Sequence, residues 1–211
     1  MNCCRSVTRI TLLVLTVFQL SCAKDESAAD AGAKPPAPGV AATAISGAPA
    51  FSLATLPNST VVAASHNRVA GYASGKEVWS FALPDNDTVA APPVGAANST
   101  AYIRGAQEIY AIGPDGKLLW SAIHADAAAS IKGIVALGDS TVALTAGDNS
   151  LVNYDGQGKT RWTFRLPDGD HLTAMPVIAA NSTIYLRGGK KLYGLDPQGK
   201  LGWQADLATG Q

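Results

Sequence analysis

The chain has 211 residues with sixteen basic and sixteen acidic side chains, a formal charge of zero, and only 15% charged residues, against the ~25% usual in globular proteins. No basic field exists to hold a phosphate backbone, which argues against a nucleic-acid partner. Twenty-one Gly and twelve Pro among many Ala, Val and Thr predict short strands broken by turns, an all-β chain.

Residues 1–21 read as an export signal: Arg5 and Arg9, an apolar run over residues 10–20, then small residues around Cys22. The run is too short to span a bilayer, which takes about 20 residues. The string Gln19-Leu20-Ser21-Cys22 resembles a bacterial lipobox, with Leu20 one place closer to the cysteine than that motif usually puts its leucine. The resemblance implies that Cys22 becomes the N-terminus and carries lipid, palmitate among its acyl chains; several chains hold a protein stably where one does so only marginally. Ala23 rather than Asp after the cysteine implies a periplasm-facing outer-membrane address. Secretion into the periplasm or beyond, or a retained anchor, is the alternative.

Cys3, Cys4 and Cys22 are the three cysteines of the chain, so the region beyond them has no thiol for disulfides, thiolate catalysis or a Cys-based zinc site. From Ala23 to Ala50 come eleven Ala, four Pro and three Gly with hardly a large apolar side chain. Such a stretch buries too little surface to offset the entropy of ordering. Residues 22–50 are therefore expected to be a disordered, lipid-anchored tether with a reach of roughly 30 Å.

From residue 51 the sequence repeats. Gly-Lys-x-x-Trp recurs as Gly75-Lys76 with Trp79, Gly116-Lys117 with Trp120, Gly158-Lys159 with Trp162 and Gly199-Lys200 with Trp203, the tryptophans spaced by 41, 42 and 41. A second marker, Asn58-Ser59-Thr60, Asn98-Ser99-Thr100, Asp139-Ser140-Thr141 and Asn181-Ser182-Thr183, recurs at 40, 41 and 42. Each repeat carries four β-like runs; in the last they are residues 176–179, 183–186, 191–195 and 201–204. Four strands in 40–45 residues make a propeller blade. The expected blades are residues 51–91, 92–133, 134–175 and 176–211, with Trp79, Trp120, Trp162 and Trp203 as structural residues that cover each blade's edge and pack on its neighbour. Asn-Ser-Thr triplets also fit a glycosylation sequon, but their recurrence at the repeat period reads as turn chemistry.

Residues 109–120, Ile-Tyr-Ala-Ile-Gly-Pro-Asp-Gly-Lys-Leu-Leu-Trp, and 192–203, Leu-Tyr-Gly-Leu-Asp-Pro-Gln-Gly-Lys-Leu-Gly-Trp, resemble the pyrroloquinoline-quinone-like propeller repeat, with its Leu-Tyr-Ala-Leu-Asp-x-x-Thr-Gly-Lys-x-x-Trp hallmark. The Trp-Asp ending of WD40 repeats is absent: Ser80, Ser121, Thr163 and Gln204 follow the tryptophans. Lipobox, tether and repeats together are most similar to the propeller lipoproteins of outer-membrane β-barrel assembly. That resemblance implies a non-enzymatic envelope scaffold with protein partners, β-barrel assembly components among them. Relatives have about eight blades where this chain has four. The four could close as a small ring, stay an open half-ring, or pair with a second copy as a homodimer.

In a propeller, loops joining the second and third strands share a face with the inter-blade loops, and His66, Arg68, Arg104, Gln107, Arg187 and Lys190 are the candidate binding residues there. Arg104 and Arg187 hold equivalent repeat positions at a loop edge. The inter-blade loops echo one another in Leu83-Pro84-Asp85-Asn86-Asp87 and Leu166-Pro167-Asp168-Gly169-Asp170. Asp85, Asp87, Asp168 and Asp170 could offer oxygens to calcium, which takes six to eight. No full ligand string follows and Pro-Asp-Gly is ordinary turn chemistry, so no metal is expected. His66, His124 and His171, at non-equivalent positions, read as exposed loop histidines. The family's name raises a quinone-dependent dehydrogenase; the absence of cysteine beyond residue 22, half the blades and no Asp matching the catalytic motif argue against it, so no cofactor is expected. A small-molecule or glycan sensor at the ring mouth is the other alternative.

Overall fold

A computed structural model describes residues 52–124 and 133–207. The leader, Cys22 and the tether lie outside these residues. Each repeat folds as one antiparallel four-stranded sheet with its strands in sequence order. Blade 1 holds β1 (Ser52–Thr55), β2 (Val61–Ser65), β3 (Arg68–Ala73) and β4 (Lys76–Ala82). Blade 2 holds β5 (Val94–Gly95), β6 (Ala101–Arg104), β7 (Glu108–Ile112) and β8 (Leu118–Ile123). Blade 3 holds β9 (Ile134–Ala136), β10 (Val142–Ala146), β11 (Ser150–Tyr154) and β12 (Thr160–Arg165). Blade 4 holds β13 (Val177–Ile178), β14 (Ile184–Arg187), β15 (Lys191–Leu195) and β16 (Leu201–Asp206). The molecule is thus a β-propeller of four four-stranded blades, and a 3₁₀ turn at Pro84–Asn86 lies in the link between the first two.

Two turns recur. Between the first and second strands the Asn or Asp side chain accepts the N–H of the threonine two residues on, at 3.1–3.2 Å in all four blades. This Asx turn holds the intervening Ser59, Ser99, Ser140 and Ser182 at φ of 63–64°, a left-handed conformation that non-glycine residues occupy rarely. Between the third and fourth strands the left-handed position falls to glycine: Gly75, Gly116, Gly158 and Gly199, at φ of 75–80°. Just after each of these turns a register shift leaves one fourth-strand residue, Val78, Leu119, Arg161 or Gly202, without a partner, a bulge of the kind that adds local twist.

Alternation along the strands gives each blade two apolar faces, and the core lies between blades. Val62, Ala64, Val69 and Trp79 of blade 1 pack on Ala101, Ile103, Tyr110 and Ile112 of blade 2. Tyr102, Ile109 and Ala111, with half-buried Trp120, pack on Val142, Leu144 and Tyr154 of blade 3. Ala143, Leu151 and Trp162 pack on Ile184, Leu186, Tyr193 and Leu195 of blade 4. The tryptophans do more than cover edges. Trp79 lies against Gly116, Trp120 against Gly158 and Trp162 against Gly199, so closely that a Cβ on any of these glycines would collide with the indole of the preceding blade. Among the described residues no fourth cluster joins blade 4 to blade 1.

Candidate interaction face

The inter-blade loops and the β2–β3-type turns lie together, as the topology requires, and main-chain hydrogen bonds stitch each loop to both blades it connects. The Leu83 and Val89 N–H groups donate to the carbonyls of Asn67 and His66 in blade 1, while the Ala90 N–H donates to Arg104 in blade 2. Leu166 and Leu172 bond Asn149 and Asp148 of blade 3, and Thr173 bonds Arg187 of blade 4, in the same pattern.

Asp87 and Asp170 anchor this weave. Asp87 is buried; its carboxylate accepts the N–H groups of Ala106 at 2.8 Å, Gln107 at 3.2 Å and Glu108 at 3.2 Å, and the Tyr110 hydroxyl at 2.9 Å. Asp170 repeats the arrangement in blade 4, accepting the Lys190 N–H at 3.2 Å and the Tyr193 hydroxyl at 2.9 Å. Burial alone would raise both carboxyl pKa values. The tyrosine hydroxyl and the surrounding N–H groups outweigh it and hold both below the usual carboxylate range. Burial and the facing carboxylate push Tyr193 up to about 12 and raise Tyr110 likewise.

These two aspartates, read from sequence as turn residues and candidate calcium ligands, are structural locks whose oxygens already serve protein donors. Asp85 and Asp168 stay exposed at the turn, at φ of 52° and 57°. No group of three metal-ligating side chains occurs among the described residues. The sequence signal that could have found the locks is the Tyr of Leu-Tyr-x-Leu, present as Tyr110 and Tyr193 in the two blades that receive such an aspartate.

His66, Gln107, Arg187 and Lys190 are exposed on the loop face, and exposed Arg68 pairs with Glu77 at 2.6 Å. Arg104 differs from its sequence reading as a loop-edge residue: it is the last residue of β6 and wholly buried. Its Nη1 donates to the Gly133 carbonyl at 3.0 Å and the Thr145 hydroxyl at 2.7 Å, and burial lowers its pKa to about 10. Blade 3 covers Arg104, and no described blade covers Arg187, so equivalent positions have opposite surroundings. His124 is likewise buried rather than exposed, its Nε2 3.1 Å from the Gly105 carbonyl oxygen.

Comparison with known proteins follows the fold. A family model described as outer membrane protein assembly factor BamB matches residues 57–211, while no curated protein matches the chain in sequence. BamB from Moraxella catarrhalis is similar at 16% identity and a TM-score of 0.58, covering 74% of this chain and 49% of its own. The Pan2 WD40 domain of Neurospora crassa, at 16% identity and TM-score 0.57, is covered over 50% of its length and covers 75% of this one. Virginiamycin B lyase from Staphylococcus aureus, at 14% identity and TM-score 0.59, covers 75% of this chain and is covered over 56%. The chain spans about half the length of these structures, and at such identities the likeness is one of fold.

Proposed function

The chain belongs to the family of outer membrane protein assembly factor BamB, and from that premise we propose that it is a non-enzymatic protein-interaction scaffold of the bacterial envelope. Its partners are then envelope proteins, β-barrel assembly components among them, and a second copy of the chain. On this reading Cys22 carries the lipid that holds it to the outer membrane, facing the periplasm. No helix among the described residues is long and apolar enough to cross a membrane.

The observation that carries the reading is how the loop face spends its chemistry. Asp87, Asp170 and Arg104, the groups best suited to acid-base or ion-binding work, are buried and bonded to protein atoms. What the face turns outward is His66, Gln107, Arg187 and Lys190, a polar donor surface suited to recognition. The outer edge of blade 2 adds to this. Strand β8 ends its sheet with Leu118, Leu119 and Ile123 exposed, and an apolar unpaired edge accepts an extended client strand by β-augmentation.

Photo-crosslinking in intact envelopes, with the reactive side chain at Lys190 and separately at Ile123, tests the scaffold. Capture of β-barrel assembly components or outer-membrane barrel precursors is expected; stoichiometric, saturable binding of quinone with calcium in titration would overturn the reading. Acyl labelling lost in Cys22→Ser tests the anchor, and labelling that persists in the variant refutes it.

A further inference from the structure

The trailing face of blade 4, the one turned away from blade 3, is the uncovered equivalent of a face that is packed elsewhere in the same chain. In blades 1 to 3 the outer-strand tryptophan is buried or half-buried; Trp203 is 43% exposed, and Val177, in the same cross-strand row, is exposed too. At the other end, the leading face of blade 1 shows the complementary defect. Val61 is 36% exposed, whereas Ala101, Val142 and Ile184 at its equivalent positions are fully buried. Gly75, unlike its half-covered counterparts Gly116, Gly158 and Gly199, is exposed.

The chemistry of the two faces specifies their match, because the blades alternate. Strand pairing aligns Tyr185, Arg187, Leu192 and Trp203 of blade 4 with Tyr102, Arg104, Ile109 and Trp120 of blade 2. It likewise aligns Val61, Ala63, Ala70 and Tyr72 of blade 1 with Val142, Leu144, Val152 and Tyr154 of blade 3. Ala63 and Ala70 are already buried within the chain, so the accessible part of the blade 1 face is Val61, Tyr72 and Gly75. The junction between blades 2 and 3 displays the contact that part can make. There, Trp120 stacks on Tyr154 with ring centroids 6.3 Å apart and lies on Gly158. The Tyr102 hydroxyl donates to the Ser140 carbonyl at 2.5 Å, and Arg104 donates to the Gly133 carbonyl.

We infer that the trailing face of blade 4 docks head to tail on the leading face of blade 1 of a second copy, reproducing the blade 2–blade 3 junction. Trp203 then stacks on Tyr72 and covers Gly75, the Tyr185 hydroxyl reaches the Ser59 carbonyl, and Arg187 reaches the carbonyl of Ser52. The same contact thereby passes from one chain to the next, a heterologous junction in which two different faces meet. The inference deepens the second-copy part of the scaffold proposal; the envelope partner is read at Lys190 and Ile123, so each can fail alone.

The test uses the full-length chain in detergent. Light scattering coupled to size exclusion should give twice the chain mass for the wild type and the single-chain mass for Trp203→Asp and, independently, Arg187→Glu, both with an unchanged far-ultraviolet spectrum. A photo-reactive residue at Gln204, in a mixture of ¹⁴N- and ¹⁵N-labelled chains, should yield mixed-label adducts mapping to residues 72–80. A monomeric wild type overturns the inference. So do adducts joining Gln204 to the Gln204 region of another copy, adducts within one chain, for instance to residues 23–50, and adducts only to a different protein.

Discussion

Asp87 and Asp170 show how one side chain can hold two blades together. Each carboxylate closes a turn in the blade that follows it by accepting main-chain N–H groups and a tyrosine hydroxyl. An amide in place of the carboxylate turns one accepting oxygen into a donor facing buried donors, and Asp87→Asn or Asp170→Asn is expected to lower unfolding stability by about 2 kcal/mol in urea denaturation. The pH dependence has a definite sign. Both folded-state pKa values are held below the unfolded aspartate value of about 3.9, so the unfolded chain binds more protons in acid. The stabilisation is fully present above about pH 4 and is lost as pH falls through the folded-state value. The acid limb of a stability curve should accordingly be steeper in the wild type than in the double Asn variant; equal slopes would refute the lock.

At the scale of the element, the repeat uses two left-handed turn positions and treats them differently. Glycine is required at Gly116, Gly158 and Gly199 for two reasons, their positive φ and the indole lying on them. The serines of the Asx turns have only the first constraint, offset by the Asn or Asp acceptor. Ser99→Gly is therefore expected to be neutral or stabilising by up to about 1 kcal/mol, and Ser99→Val to cost about 1–2 kcal/mol, since a β-branched residue resists the left-handed region. The four tryptophans form a parallel series. Truncating buried Trp79 to Ala should cost about 3–5 kcal/mol. Trp203→Ala, measured at concentrations dilute enough for single chains, should cost less, about 1–2 kcal/mol, because its ring is 43% exposed and rests on Tyr185 and Gly194 of its own blade alone. Equal losses for the two variants would show that Trp203 is enclosed within its own chain as fully as Trp79.

For the molecule as a whole, stability tied to a second copy depends on concentration, because mass action favours the associated state. The wild-type melting temperature is expected to rise with protein concentration and that of Trp203→Asp to stay constant; a concentration-independent wild type would count against the head-to-tail pair. The two-blade alternation also places the Asp–Tyr locks at the first and third junctions and the buried arginine at the second. Tyr110 and Tyr193 stand where blades 1 and 3 have Ala70 and Val152. A head-to-tail pair would continue that alternation from one chain into the next.

Much of this architecture is legible in the amino-acid sequence, for a local reason. Strand period, turn residues and the Gly-Lys-x-x-Trp spacing are set by interactions within one repeat, so four sheets in sequence order, and even β15 at residues 191–195, can be read from the string of residues. The surroundings of individual side chains cannot. Arg104 and Arg187 hold the same place in their repeats, yet one is sealed by the next blade and the other open. Asp87 looks like turn chemistry until Tyr110, 23 residues away, is folded onto it. Burial and partnership depend on which blade stands opposite, and only the packing of one repeat on the next decides that.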